Sequence, residues 1–151
     1  MSELTVNIQK TLKAPIEKVF DAWLDAKTLS KFMLPMSGMP EPRTESEGKQ
    51  GGSFSIFMVV DGNEMPHTGN YLEVNRYSKL VFTWQSPFSA DDSVVTILFS
   101  SANNGGTKVE FTHVKFIDEE ARDNHAGGWA AILDALENVL STAAETKTAT
   151  V

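Results

Sequence analysis

Apolar and polar positions alternate with period two in some stretches of the chain and recur at helical spacing in others. Leu4, Val6 and Ile8 alternate with polar neighbours in "LTVNIQKTLKA", which predicts a first strand. Ile16, Val19, Phe20, Trp23 and Leu24 then follow at helical spacing, with Pro15 suited to the first turn. A second short helix is predicted from Lys27 to Phe32, and "MLPMSGMPEPR" reads as a loop. From Arg43 to Phe116 the pattern is strand after strand. "GGSFSIFMVV", "HTGNYLEV", "KLVFTW", "SVVTILFS" and "TKVEFTHVKF" are the strand-like runs, and Asp61-Gly62 and Asn104-Gly105 are hairpin signals. The short connections predict an antiparallel meander.

Between His125 and Leu140 the period changes. Trp129, Ile132, Leu133, Leu136, Val139 and Leu140 form one stripe of a long helix, predicted over 122–143 and about 30 Å long. That order is one strand, two short helices, about six strands and one long helix, which is α+β rather than alternating βα units. One helix can cover only one sheet face. The expected solution is a curved antiparallel sheet of six to seven strands wrapped around the C-terminal helix. A single domain over 1–144 and a flexible tail over 145–151 are expected, since the tail's Ala and Thr have little to bury.

Composition narrows the chemistry. The 151 residues carry a formal net charge of −7 and no cysteine. Disulfides, thiolate metal sites and thiol catalysis are therefore excluded. A basic footprint for nucleic acid or anionic lipid is missing, so neither partner is expected. No apolar run approaches the roughly 20 residues of a membrane span, and the first residues lack a signal-like apolar block. The chain is read as soluble and cytoplasmic. No nucleophile elbow, phosphate loop or dinucleotide fingerprint occurs, so no cofactor is expected.

Several stretches, "KAPIEKVFDAWLDAKTLSKFMLP", "GGSFSIFM", "GNYLEVNRYSKLVFTW", "GGTKVEFTHVKF" and "HAGGWAAILDAL", taken in order, resemble the family of activators of the heat-shock protein 90 ATPase. That family lies in the SRPBCC superfamily of START-like, birch-pollen-allergen-like proteins. The resemblance covers Leu4 to about Leu140. It implies the helix-grip fold, with a hydrophobic cavity between sheet and C-terminal helix, and no single reaction. Superfamily members include binders of apolar or lipid-like molecules, polyketide cyclases and a chaperone ATPase activator.

The candidate ligand-binding residues are Trp23, Met36, Phe54, Met58, Tyr71, Trp84, Phe111, His113, His125, Gly128 and Trp129. The aromatic ones would line a pocket, although each could equally be plain core. Tyr71, His113 and His125 would supply polar contact, or His113 could be a hydrogen-bonded core residue and His125 a capping one. Gly127 and Gly128 would leave room at the cavity end of the long helix, or permit a bend. Met33, Met36 and Met39 would form an adaptable lid over the mouth. Glu73, in phase with Tyr71, is the best-placed of Glu64, Glu73 and Glu110 to be a buried base. The expected partner is a small hydrophobic molecule. A cyclase- or hydratase-like enzyme, a chaperone ATPase co-regulator and a homodimer through an edge strand are the alternatives. No metal site and no catalytic residue are assigned.

Overall fold

The computed structural model describes residues 5–33, 40–60, 62–85, 93–102, 105–114 and 118–149, the last nine of these by backbone alone. The elements are β1 (Thr5–Leu12), α1 (Ile16–Ala22), α2 (Ala26–Phe32), β2 (Arg43–Ser46), β3 (Ser53–Val60), β4 (Asn63–Asn75), β5 (Lys79–Thr83), β6 (Val94–Ser101), β7 (Thr107–Val114) and α3 (Glu119–Ala149). This is the α+β order the hydrophobic pattern predicts.

Seven strands form one curved antiparallel sheet in the order β1-β7-β6-β5-β4-β3-β2. Each of β2 to β6 pairs with the strand that follows it, as a meander must. β1 closes the far side against β7, with Val6 opposite His113 and Ile8 opposite Phe111. Gly62 and Gly105 adopt φ of +80° and +78° beside their turns, a region open to glycine and strained for most other residues.

Alternation places one face of every long strand inside. Phe54, Ile56 and Met58 of β3, Tyr71 of β4, Leu80 and Phe82 of β5, Val95, Ile97 and Phe99 of β6, and Val109, Phe111 and His113 of β7 are buried. Trp129, Ile132, Leu133 and Leu136 of α3 complete the core. Lys10 of β1 reaches Asp134 of α3 at 2.7 Å, which ties the helix along the β1 edge. That pair is partly exposed and contributes little to stability.

The opposite edge is covered by the α1–α2 segment. Asp25 caps α2, accepting from the Thr28 backbone N–H at 3.0 Å. Ser46 of β2 donates to the Leu24 carbonyl at 2.7 Å. The two short helices are thereby held to the outermost strand, which blunts that edge against pairing with another chain.

Three details depart from the sequence reading. α3 begins at Glu119, where Asp118 accepts from the Ala121 N–H at 2.8 Å, and runs to Ala149, six residues beyond the expected end. Ala, Glu and Lys in that stretch are good helix formers, and their propensity carries the backbone on. A register shift between Tyr71 and Glu73 breaks the period of β4. Glu73 therefore leaves the phase of Tyr71 and pairs with Lys79 at 3.7 Å, half-exposed, rather than facing the core as a base. Among the described residues no helix is long and apolar enough to cross a membrane.

Candidate functional site

Rings from every layer meet in the interior. Trp23 ends α1, Phe54 comes from β3, Tyr71 from β4, Phe82 from β5, Trp84 from the residue just after it, Phe111 from β7 and Trp129 from α3. Trp129 lies 4.5 Å from Phe111, 4.8 Å from Trp84 and 6.5 Å from Trp23, between ring centroids. Phe54 lies 5.3 Å from Tyr71 and 5.4 Å from Phe82. The tilted and edge-on angles are those that aromatic quadrupoles favour. Strand alternation and the helical stripe thus gather Trp23, Phe54, Tyr71, Trp84, Phe111 and Trp129 in one cluster. Met58 shares the inner face of β3, and Gly128 is half-buried on α3. Met36 lies outside the described residues, as does Met39.

The polar members are bonded to their own surroundings. The Trp129 indole N–H donates to His113 Nδ1 at 3.0 Å, so that nitrogen carries no proton. His113 Nε2–H then donates to the buried Ser93 hydroxyl, and Ser93 in turn donates to the Val114 carbonyl. Burial, then the nearby His125, push His113 from 6.5 down to about 3, and it stays neutral. His125 Nδ1 donates to the Ala121 carbonyl at 2.7 Å, one helical turn back. The Tyr71 hydroxyl donates to the Trp23 carbonyl at 2.9 Å and meets the Ser46 hydroxyl, and burial pushes it up to about 12. Of the alternatives open in the sequence, this geometry is that of a hydrogen-bonded core histidine at 113.

Two polar groups in the cluster have no partner among the described residues. The indole N–H groups of Trp23 and Trp84 are buried, each side chain 2% exposed, and neither donates to any atom of those residues. Leaving a buried donor unmade costs about 1–3 kcal/mol, so native structures rarely do it twice in one place.

Gly127 does not open the core. Gly127 is exposed, and a Cβ added there would meet nothing within 4 Å, so this glycine makes no room in the core. Trp129 fills the interior at that level. Among the described residues, a pocket of about 10 Å³ lies beneath α2, lined by Trp23, Met33, Phe54, Ile56, Tyr71 and Phe82 among others. That is about the space of one water.

His67 of β4 is a further histidine of the interior, one not among the candidate residues. It is buried, its ring 5.3 Å from Trp84, and its Nδ1 donates to the Met65 carbonyl at 2.9 Å. Burial lowers its pKa. The signal was present: His67, Gly69 and Tyr71 are in phase on β4. Among the described residues no group of three His, Asp or Glu is arranged to hold a metal ion.

Comparison with known proteins completes the picture. The family model described as activator of Hsp90 ATPase homolog 1-like protein matches residues 13–141. No curated protein sequence matches this chain. Among solved structures, protein CV1439 from Chromobacterium violaceum superposes with a TM-score of 0.80 at 22% identity, over 91% of this chain and 96% of that one. The AHSA1-like protein from Aeromonas hydrophila gives 0.78 at 23% identity, over 93% and 94%. PFC0360w, an HSP90 activator from Plasmodium falciparum, gives 0.74 at 24% identity, over 91% and 96%. At these identities the structures share the fold.

Proposed function

The chain belongs to the activator of Hsp90 ATPase homolog 1-like family, and from that premise we propose that it binds a small, mostly apolar molecule among the aromatic side chains between its sheet and α2. The observation that carries the reading is the pair of buried, unpartnered indole donors in a cluster whose other polar groups are satisfied. A bound molecule would supply the missing acceptor, and the surrounding rings would supply apolar contact. Met33, at the C-terminal end of α2, lines the pocket, and its unbranched side chain can swing aside. Entry requires that movement, because the space as folded holds about one water.

The three tryptophans of the chain all sit in this cluster, so their emission reports occupancy directly. A screen of small aromatics and lipids by tryptophan fluorescence and thermal unfolding tests the reading. Ligand at 100 times its Kd adds about 2.7 kcal/mol of stability. For a domain of this size that raises Tm by about 5–10 °C. A panel with no saturable change in either signal would overturn the proposal.

A second reading, chaperone ATPase regulation, draws on the family itself and on the fold shared with the HSP90 activator from Plasmodium falciparum. It predicts a change in Hsp90 ATPase rate on adding this protein. An unchanged rate at saturating protein would remove it.

A further inference from the structure

We propose that the molecule held beneath α2 is neutral and flat, and that it carries a carbonyl or ether oxygen that accepts the indole N–H of Trp23. This rests on the binding reading above and specifies its chemistry. Trp23 lines the pocket, and its buried Nε1–H has no partner among the described residues. An indole nitrogen is a donor only, so what completes it is an acceptor. Among the described residues of this pocket, the one other side chain with a polar hydrogen, Tyr71, already donates to the Trp23 carbonyl.

Charge decides between a neutral acceptor and a carboxylate. The described residues of the pocket wall include no lysine, arginine or histidine. A carboxylate placed there would lose its hydration with no cation to offset the loss. A neutral oxygen needs only the single hydrogen bond on offer. Shape follows from the walls. The rings of Trp23, Phe54, Tyr71 and Phe82 make up most of the described lining, and Phe54 stands edge-on to Phe82 at 89°. Such faces favour a planar guest.

Trp84 offers a second unpartnered donor in the same aromatic cluster. It shares Phe82, Phe54 and Trp129 as neighbours with the pocket or with Trp23. It serves as an internal reference in the test, since an oxygen at Trp23 moves one indole signal more than the other.

The experiment titrates the ¹⁵N-labelled full chain with acetophenone, cumene and benzoate, which share a ring and differ in the acceptor. The Trp23 indole resonance is assigned with Trp23→Phe. The same titrations on Met33→Ala, which widens the pocket, provide a second route to occupancy. Acetophenone should bind saturably, shift the Trp23 indole proton downfield and bind about tenfold more tightly than cumene. Trp23→Phe should remove that preference. Cumene binding as tightly as acetophenone, with no indole shift, would overturn the acceptor while leaving the binding reading intact. Tightest binding by benzoate would do the same. If none of the three binds to either protein, and the indole signal instead shows contact with one ordered water, both readings fall.

Discussion

Lowering the pH from about 7 to about 5 should weaken the fold by about 2 kcal/mol through His113 alone. Burial and the neighbouring His125 push this imidazole down to about 3 in the folded protein. Unfolded, it titrates near the ordinary value of about 6.5. Between those values the unfolded chain binds a proton that the folded core refuses. Stability from this group is therefore complete above the unfolded value and is lost as the pH falls towards the folded one. Protonation favours the unfolded state by about 30-fold at pH 5 and by about 1.3-fold at pH 7, and the ratio corresponds to about 1.9 kcal/mol. His67, whose pKa is also lowered by burial, adds loss of the same sign. Urea unfolding at intervals between these pH values, followed by tryptophan fluorescence, measures the slope. The interval lies above the ordinary carboxylate range, so acidic residues contribute little. In His113→Gln, which cannot titrate, the loss between pH 7 and 5 should be about 2 kcal/mol smaller. An equal loss in both proteins would refute the reasoning, since it would mean that His113 does not carry the proton difference.

Other substitutions test individual contacts. Gly127→Ala should stabilise the fold by about 1 kcal/mol, because the site is helical, exposed and open to a methyl group. A Tm higher by about 2–4 °C would confirm it, and a lower one would restore a packing role for this glycine. Gly69→Ala should destabilise by on the order of 3 kcal/mol or more in urea titration, because its Cβ would fall 2.0 Å from the Thr83 carbonyl oxygen. Ser93→Ala should cost about 1–3 kcal/mol, as the His113 Nε2–H loses its acceptor. The same measurement reads the loss, and a neutral effect would mean that the Ser93 contact contributes nothing.

Much of the architecture was legible because its causes are local and periodic. Alternation in "KLVFTW" put Leu80, Phe82 and Trp84 on one face, and all three are buried. The stripe Trp129, Ile132, Leu133 and Leu136 named the buried face of α3 in the same way. Most of the aromatic lining followed from those two periods. What escaped was set by events between elements. The bulge at Tyr71–Glu73 turns Glu73 out of phase, and no residue type in "NYLEV" announces it. Gly127 invited a packing explanation, yet which side of a helix faces solvent depends on the neighbouring stripe. The partner of His113 is Ser93, twenty positions earlier, brought together by the β6–β7 pairing and without a local motif. Unpartnered indole donors become visible only once the surrounding acceptors have positions.

β1 is made long before its partner strand. β1 has one neighbour in the sheet, β7, and Leu12 stands opposite Thr107. On the ribosome, the newborn strand must wait for several seconds at about 5–20 residues per second before its partner exists. Throughout that delay its backbone donors and acceptors are open to any stray strand nearby, a neighbouring nascent chain included. Slow translation, or crowded polysomes, would lengthen that exposure.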